Sequence, residues 1–326
     1  MKTTLKLMAL VLAIAVVGAL CLTACDMSTA DFTVGILQPI AHDALGAANQ
    51  GFQDELTRLM TEAGKTVKFE MENANGNEEM MTTIVSTFVG QGVDLMLTIG
   101  TGATQVAAGL DKNTPILFTA VTDPAGAGLV SSNGADRQAN NVSGTSDMNP
   151  VALQMQLCKD LGMKKVALLY TASEDNSRIQ IEMAKEAIEE IDGLEYVVKT
   201  ISDMNDIMTV MNEIGADTTI DGIYVPTDNT LASNVSTVHA QNKANRNLPI
   251  VCGEESMNNL CGVATYSINY YELGKQTARM AFEILVNGKS VGSMPVEYQT
   301  GTPALSINQA IADEIGFDFD FSTLED

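Results

Sequence analysis

From residue 33 onward the chain alternates short runs of β-branched and apolar residues with stretches of helical periodicity, and it does so twice in series. Thr33–Leu37, Thr66–Met71, Asp94–Ile99 and Pro115–Thr119 read as strands, separated by helical patterns over Leu45–Leu59, Glu78–Val89 and Gly102–Leu110. After a Gly-, Ser- and Asn-rich stretch at Gly126–Asn141, the pattern restarts. Strands at Val166–Tyr170, Tyr196–Ile201, Gly222–Val225, Pro249–Cys252 and Val263–Tyr266 alternate with a stripe at Ile179, Met183, Ala187 and Ile191 and with helices at Ile207–Ile214, Thr230–Ala244 and Leu273–Val286. Short strands at Pro295–Tyr298 and Ala304–Ile307 and a helix at Gln309–Ile315 end the chain. Continuous apolar strands separated by helices specify parallel sheets covered on both faces. The expected fold class is therefore α/β, with two Rossmann-like lobes.

The first 24 residues have a different character. Lys2 and Lys6 precede an apolar run from Leu7 to Leu20, short for a membrane span of about 20 residues. Leu22-Thr23-Ala24-Cys25 follows, and it resembles the cleavage box of a bacterial lipoprotein signal. Residues 1–24 are thus expected to be a signal peptide and Cys25 to carry lipid, with 25–32 as a tether and the body held on the outer face of the cytoplasmic membrane. Removing residues 1–24 takes away two lysines and no acid, so the net charge moves from −23 to −25. A balance this acidic excludes nucleic acid as a partner, because a phosphate backbone has to be met by Lys and Arg. Of the remaining cysteines, Cys252 and Cys261 are spaced to bridge a short loop, but buried thiols are the simpler reading for Cys158, Cys252 and Cys261. Their spacing fits no zinc pattern, and no metal is expected.

Doubly wound sheets bind ligands beyond the carboxyl ends of their strands, so two such lobes facing each other would enclose a site in the cleft. The residues at those ends are polar. They include Gln38 and His42 after the first strand, Thr101-Gly102-Ala103-Thr104 after the third, and Thr122-Asp123 after the fourth. In the second unit Tyr170 leads into Glu174 and Asn176, and Val225 leads into Asp228. Thr101–Thr104 opens a helix directly after a buried strand, offering N–H groups and hydroxyls to a carboxylate, with Thr122 as a second hydroxyl. For an amino-acid ligand, which the family resemblance set out below implies, Asp228 in the opposite unit is the expected partner of the ammonium group. Asn176 adds a polar contact, and His42 and Gln38 line the remaining wall. Each has a plainer role open to it: Asp123 before Pro124 as a turn former, Asn176 and Asp228 as helix caps, His42 as a surface or capping residue, His239 as a structural residue and Glu254-Glu255 as a solvated helix start.

Val34–Gln38 with His42, Thr98–Thr104, Phe118–Pro124, Tyr170–Ser177 and Thr227–Asn229 resemble the ABC-transporter substrate-binding lipoproteins of the tryptophan/tyrosine type, over essentially all of residues 31–318. The resemblance implies a type I periplasmic-binding architecture: two lobes joined by three hinge crossings, near Val142–Asp147, Ser267–Tyr270 and Val291–Pro295. The lobes would then comprise 33–146 with 268–290, and 147–267 with 291–326. It further implies a small amino-acid ligand, aromatic or branched, delivered to an ABC permease and its ATPase. A sugar or other small molecule, or a sensory role on the same fold, is the alternative.

Catalytic motifs are missing. Gly100-Thr101-Gly102-Ala103-Thr104-Gln105 imitates a dinucleotide fingerprint, but Gln105 replaces the third glycine and the turn follows the third strand. There is no Walker A loop, H-E-x-x-H or G-x-S-x-G, and only two histidines. No enzymatic activity and no cofactor are expected.

Overall fold

The computed structural model describes residues 30–132, 140–299 and 302–324. Residues 1–24, expected to be a signal peptide, and Cys25 lie outside the described residues, as does part of the Gly/Ser/Asn-rich stretch.

In chain order, the first lobe contains β1 (Phe32–Gln38), α1 (Asp43–Glu62), β2 (Val67–Asn73), α2 (Glu78–Gln91), β3 (Leu95–Ile99), α3 (Thr101–Leu110), β4 (Ile116–Thr119) and β5 (Val142–Ser146). The second contains α4 (Val151–Asp160), β6 (Lys165–Thr171), α5 (Asp175–Glu189), β7 (Glu195–Ile201), α6 (Ile207–Ala216), β8 (Gly222–Val225), α7 (Asn229–Ser233), α8 (Val235–Asn245), β9 (Ile250–Cys252), α9 (Glu255–Cys261) and β10 (Ala264–Ser267). The chain then returns to the first lobe with α10 (Tyr270–Leu285) and β11 (Glu297–Tyr298), and ends in the second with β12 (Ala304–Ile307) and α11 (Gln309–Ile315).

Each lobe is a six-stranded sheet, ordered β11-β5-β4-β3-β1-β2 and β12-β10-β9-β8-β6-β7. Every pairing is parallel except β10 with β12. The two orders match strand for strand, as the serial repeat of the pattern requires. Alternate residues of one strand go to opposite cores. Leu95, Leu97 and Ile99 of β3 pack toward α1 and α10, whereas Met96 packs toward α2 and α3. In the second lobe Val166 and Leu168 face one core, and Ala167 and Leu169 the other. Burial on both sides is why these strands are apolar at successive positions.

The helices α1 and α10 meet through glycines. A Cβ on Gly274 would lie 1.9 Å from the Ala48 carbonyl oxygen, and one on Gly51 would lie 2.0 Å from that of Tyr271. Only hydrogen at both positions lets the two backbones approach so closely.

Four expectations are corrected. Residues 291–298 were expected in the second lobe, but β11 extends the first sheet beside β5, and Val291 and Met294 enter the α1/α10 core. The third crossing therefore follows Tyr298 rather than Val291. The single helix expected over Thr230–Ala244 is broken at Asn234, where the Ser233 hydroxyl and the Asn234 amide donate to the carbonyls of Asn229 and Thr230. In α5 the buried stripe is Ser177, Ile181, Ala184 and Ile188, while Ile179, Met183 and Ala187 are only half-buried. Glu254, expected in solvent, is buried as the cap of α9. His239 is structural as anticipated, its Nε2 3.2 Å from Glu314 on α11.

Among the described residues no helix is long and apolar enough to cross a membrane, and Cys158, Cys252 and Cys261 are free, buried thiols.

Candidate ligand-binding cleft

The carboxyl ends of both sheets face each other, and the lobes touch directly across the gap. His42 Nε2 lies 3.1 Å from Asn229 Oδ1, and Gln105 Nε2 donates to Asp175 Oδ2 at 3.1 Å. Because the Asn229 amide nitrogen is already given to Glu174, its oxygen is the end that faces His42, and the imidazole donates from Nε2. Burial pushes the His42 pKa down, which favours this neutral form.

Between these bridges lies a cavity of about 360 Å³. The first lobe contributes Pro39, Ile40, Met81, Thr101, Gly102 and Val106; the second contributes Glu174, Asn176, Asn229 and Thr230. The first-lobe wall mixes an apolar strip of Pro39, Ile40, Met81 and Val106 with Glu78, Thr101 and Gln105, and the second-lobe wall is polar. A smaller cavity of about 230 Å³ adjoins His42 and Asp43 and is closed by Ser233, Ser256 and Met257.

The helix α3 begins at the cavity wall. Its cap is Gly100, with φ of 83°, so no side chain stands in front of its first N–H groups. Those groups have no partner within the helix. The Thr101 hydroxyl beside them is buried and unpaired. The residues one step round the helix point the other way. Ala103 is in the core, and the Thr104 hydroxyl donates to the Gly100 carbonyl and pairs with Thr98 at 2.9 Å. Both were expected in the site; the 100° advance per residue removes them.

The second lobe presents Glu174. One carboxylate oxygen accepts from the Thr230 N–H at 2.8 Å and the Thr230 hydroxyl at 2.6 Å. The other accepts from the Asn229 N–H at 2.9 Å and the Asn229 side-chain amide at 2.8 Å. Asn176, also at the wall, donates to the Thr227 carbonyl at 2.8 Å. Asp228 does not reach the cavity. It is fully buried and caps α7 through the Leu231 N–H at 2.8 Å, and it accepts from the Thr171 N–H, the Thr171 hydroxyl and the Ser177 hydroxyl, all within its own lobe. Burial and the charge of Glu174 push its pKa up to about 7.

Three further candidates leave the site. Tyr170 packs on the second lobe's core. Asp123 serves the turn, accepting from the Gly126 N–H at 3.1 Å. Thr122 donates to Asp147 at the hinge, at 3.0 Å. Gln38 is buried behind the wall and donates to the Ile40 carbonyl, fixing the loop that carries Pro39 and Ile40. Missed from the sequence were Gln105 and Val106, which follow Thr101 and Gly102 by one helical turn and so share their face, and Asn229 and Thr230, adjacent to the chosen Asp228.

The hinge is a buried polar knot. Asp147 accepts from Tyr270 Oη at 2.8 Å as well as from Thr122. Asn149 donates to Thr227 Oγ1 and to Tyr270 Oη and accepts from the Ile268 N–H. It thereby ties the first crossing to the second.

Two matched parallel-sheet lobes closing on a cavity at their strand ends define a binding protein of the type I periplasmic class. The family model described as ABC transporter substrate binding protein matches residues 33–323, and the chain belongs to that family, one of binding proteins rather than enzymes. It is 34% identical over 265 residues to a tyrosine-binding protein of Clostridioides difficile, covering 81% of this chain and 75% of the relative. It is 33% identical to an ABC domain of Streptococcus pneumoniae solved with L-Trp, with a TM-score of 0.81 over 90% of this chain and 98% of that one. Against the ligand-free, open structure of a substrate-binding protein from Clostridium difficile, 31% identical, the TM-score is 0.65 over 89% and 96%. The better superposition on the ligand-bound relative agrees with the direct bonds between lobes seen here.

Proposed function

We propose that the protein captures a small L-amino acid, aromatic or branched, between its lobes for delivery to an ABC permease and its ATPase. The observation that carries this is the pairing of opposite chemistries across one cavity. The open start of α3 with the unpaired Thr101 hydroxyl suits a carboxylate, and Glu174, held by neutral donors and no cation, suits an ammonium. A zwitterion touching both would favour the closed arrangement, because only closure brings the two ends within reach of one molecule. Ile40, Met81 and Val106 offer the side chain an apolar surface. Gly102 leaves open space at the helix start, and Asn176 and His42 complete the rim.

Residues 1–24 act as a signal peptide and Cys25 carries the lipid, with 25–32 as the tether that holds the body to the outer face of the cytoplasmic membrane. Globomycin treatment of expressing cells, or intact mass of the membrane-extracted protein, tests this through the presence of acyl groups on Cys25.

Ligand identity is tested by a thermal-shift panel of L-amino acids. A ligand at about 100 times its Kd adds about 2.7 kcal/mol of stability. L-Tyr, L-Trp or a branched amino acid should raise Tm; a panel in which only sugars do so refutes the assignment.

A further inference from the structure

We propose, building on the amino-acid reading above, that the cleft selects its ligand chiefly through the ammonium group. It would then also bind the primary amines left when amino acids lose their carboxyl group, and reject the acids left when they lose nitrogen. The charges around the cavity are one-sided. Its wall carries Glu78, Glu174 and Asp175, and among the described residues no Lys or Arg lines it. Asp175 is already matched, by Arg178 at 2.9 Å and by the Gln105 amide. Glu174 is not: its partners are two backbone N–H groups, a hydroxyl and the side-chain amides of Asn229 and Asn176, all neutral. Asp228 lies directly behind it, again satisfied only by neutral donors.

The opposite end is of another kind. A carboxylate there meets the Thr101 hydroxyl and the first N–H groups of α3, dipoles without a full charge. Losing those bonds costs a ligand the carboxylate's hydrogen bonds and also removes its repulsion by Glu174 and Glu78. Losing the ammonium leaves a net anion beside a carboxylate that no cation matches, with Glu78 and Asp175 on the same wall. The two truncations are therefore unequal, and the amine survives the better.

The test is calorimetric titration of the purified protein with two sets sharing a side chain: L-tyrosine, tyramine and 3-(4-hydroxyphenyl)propionate; and L-tryptophan, tryptamine and indole-3-propionate. In the set whose amino acid binds, the amine should stay within about 10-fold of it and the acid should fall by about 100-fold or more, a difference of one factor of ten or greater. In Glu174→Gln the amine should lose its advantage and the two truncated ligands converge. No heat from either amino acid overturns the amino-acid reading and the proposal with it. An amino acid that binds, with its deaminated acid equal to or tighter than its amine, overturns the proposal alone. So does an amine advantage that persists in Glu174→Gln.

Discussion

Thr101→Val should move stability and affinity in opposite directions. The Thr101 hydroxyl is buried at the first position of α3 with no hydrogen-bond partner. An unsatisfied buried polar group costs about 1–3 kcal/mol, and a hydrogen bond to a charged partner contributes about 1.5–3 kcal/mol. Valine keeps the shape and the β-branch, so it opens no cavity and leaves the χ1 restriction unchanged. Without ligand, the variant sheds the orphan and should gain about 1 kcal/mol. That is a rise in Tm of about 2–4 °C for a domain of this size. With ligand, it lacks one donor to the carboxylate, and affinity should fall by about 10-fold or more. Scanning calorimetry of the free protein and titration calorimetry with the amino acid found in the panel give both numbers. A free-protein Tm that drops, together with unchanged affinity, would show that the hydroxyl serves its own lobe and that the carboxylate binds elsewhere.

Removing the bridge at the cleft rim with Gln105→Ala breaks the one bond to Asp175 that crosses the lobes, while Arg178 keeps Asp175 paired. Stopped-flow dissociation should quicken several-fold with kon little changed, and an unchanged koff would refute a role in closure. Gly274→Ala drives a Cβ to 1.9 Å from the Ala48 carbonyl oxygen. It should cost at least about 1–3 kcal/mol through forced separation of α1 and α10, read as a lowered Tm; an unaltered Tm would mean the helices slide apart freely. Asp228 has its pKa raised from 3.8 to about 7 by burial and by Glu174. A raised carboxyl binds its proton more tightly in the folded state, so its contribution to stability is full below pH 3.8 and is lost as pH rises through about 7. Across that window the decline of Tm with pH should be shallower in Asp228→Asn than in the parent. Parallel profiles would place the titrating group elsewhere.

The parts of this molecule legible in its sequence are those set by local periodicity. Both sheets and the polar strand ends follow from apolar runs and helical stripes. What was misplaced depended on direction or on distance along the chain. In α3 the choice of Thr104 and Ala103 ignored the turn of the helix: Ala103, Thr104 and Ala107 form one buried face, while Thr101, Gly102, Gln105 and Val106 form the cavity face. That division was readable, because a helix entering from a buried strand must turn its small apolar residues back to the sheet. At the second lobe both Glu174 and Asp228 were candidates, and the one assigned to an ammonium, Asp228, is held inside its own lobe. Both carboxylates accept from the first N–H groups of α7, but Asp228 is fully buried within its lobe, whereas the longer Glu174, reaching over from another loop, is half-buried at the cavity wall. Its position rests on four donors that lie 55 and 56 residues away, and the bridges from His42 and Gln105 span 187 and 70 residues. Such pairings are products of lobe closure, and no window along the chain contains both partners. The cavity wall is therefore divided among three segments of the first lobe and two of the second, most of which read as ordinary capping chemistry until the lobes are brought together.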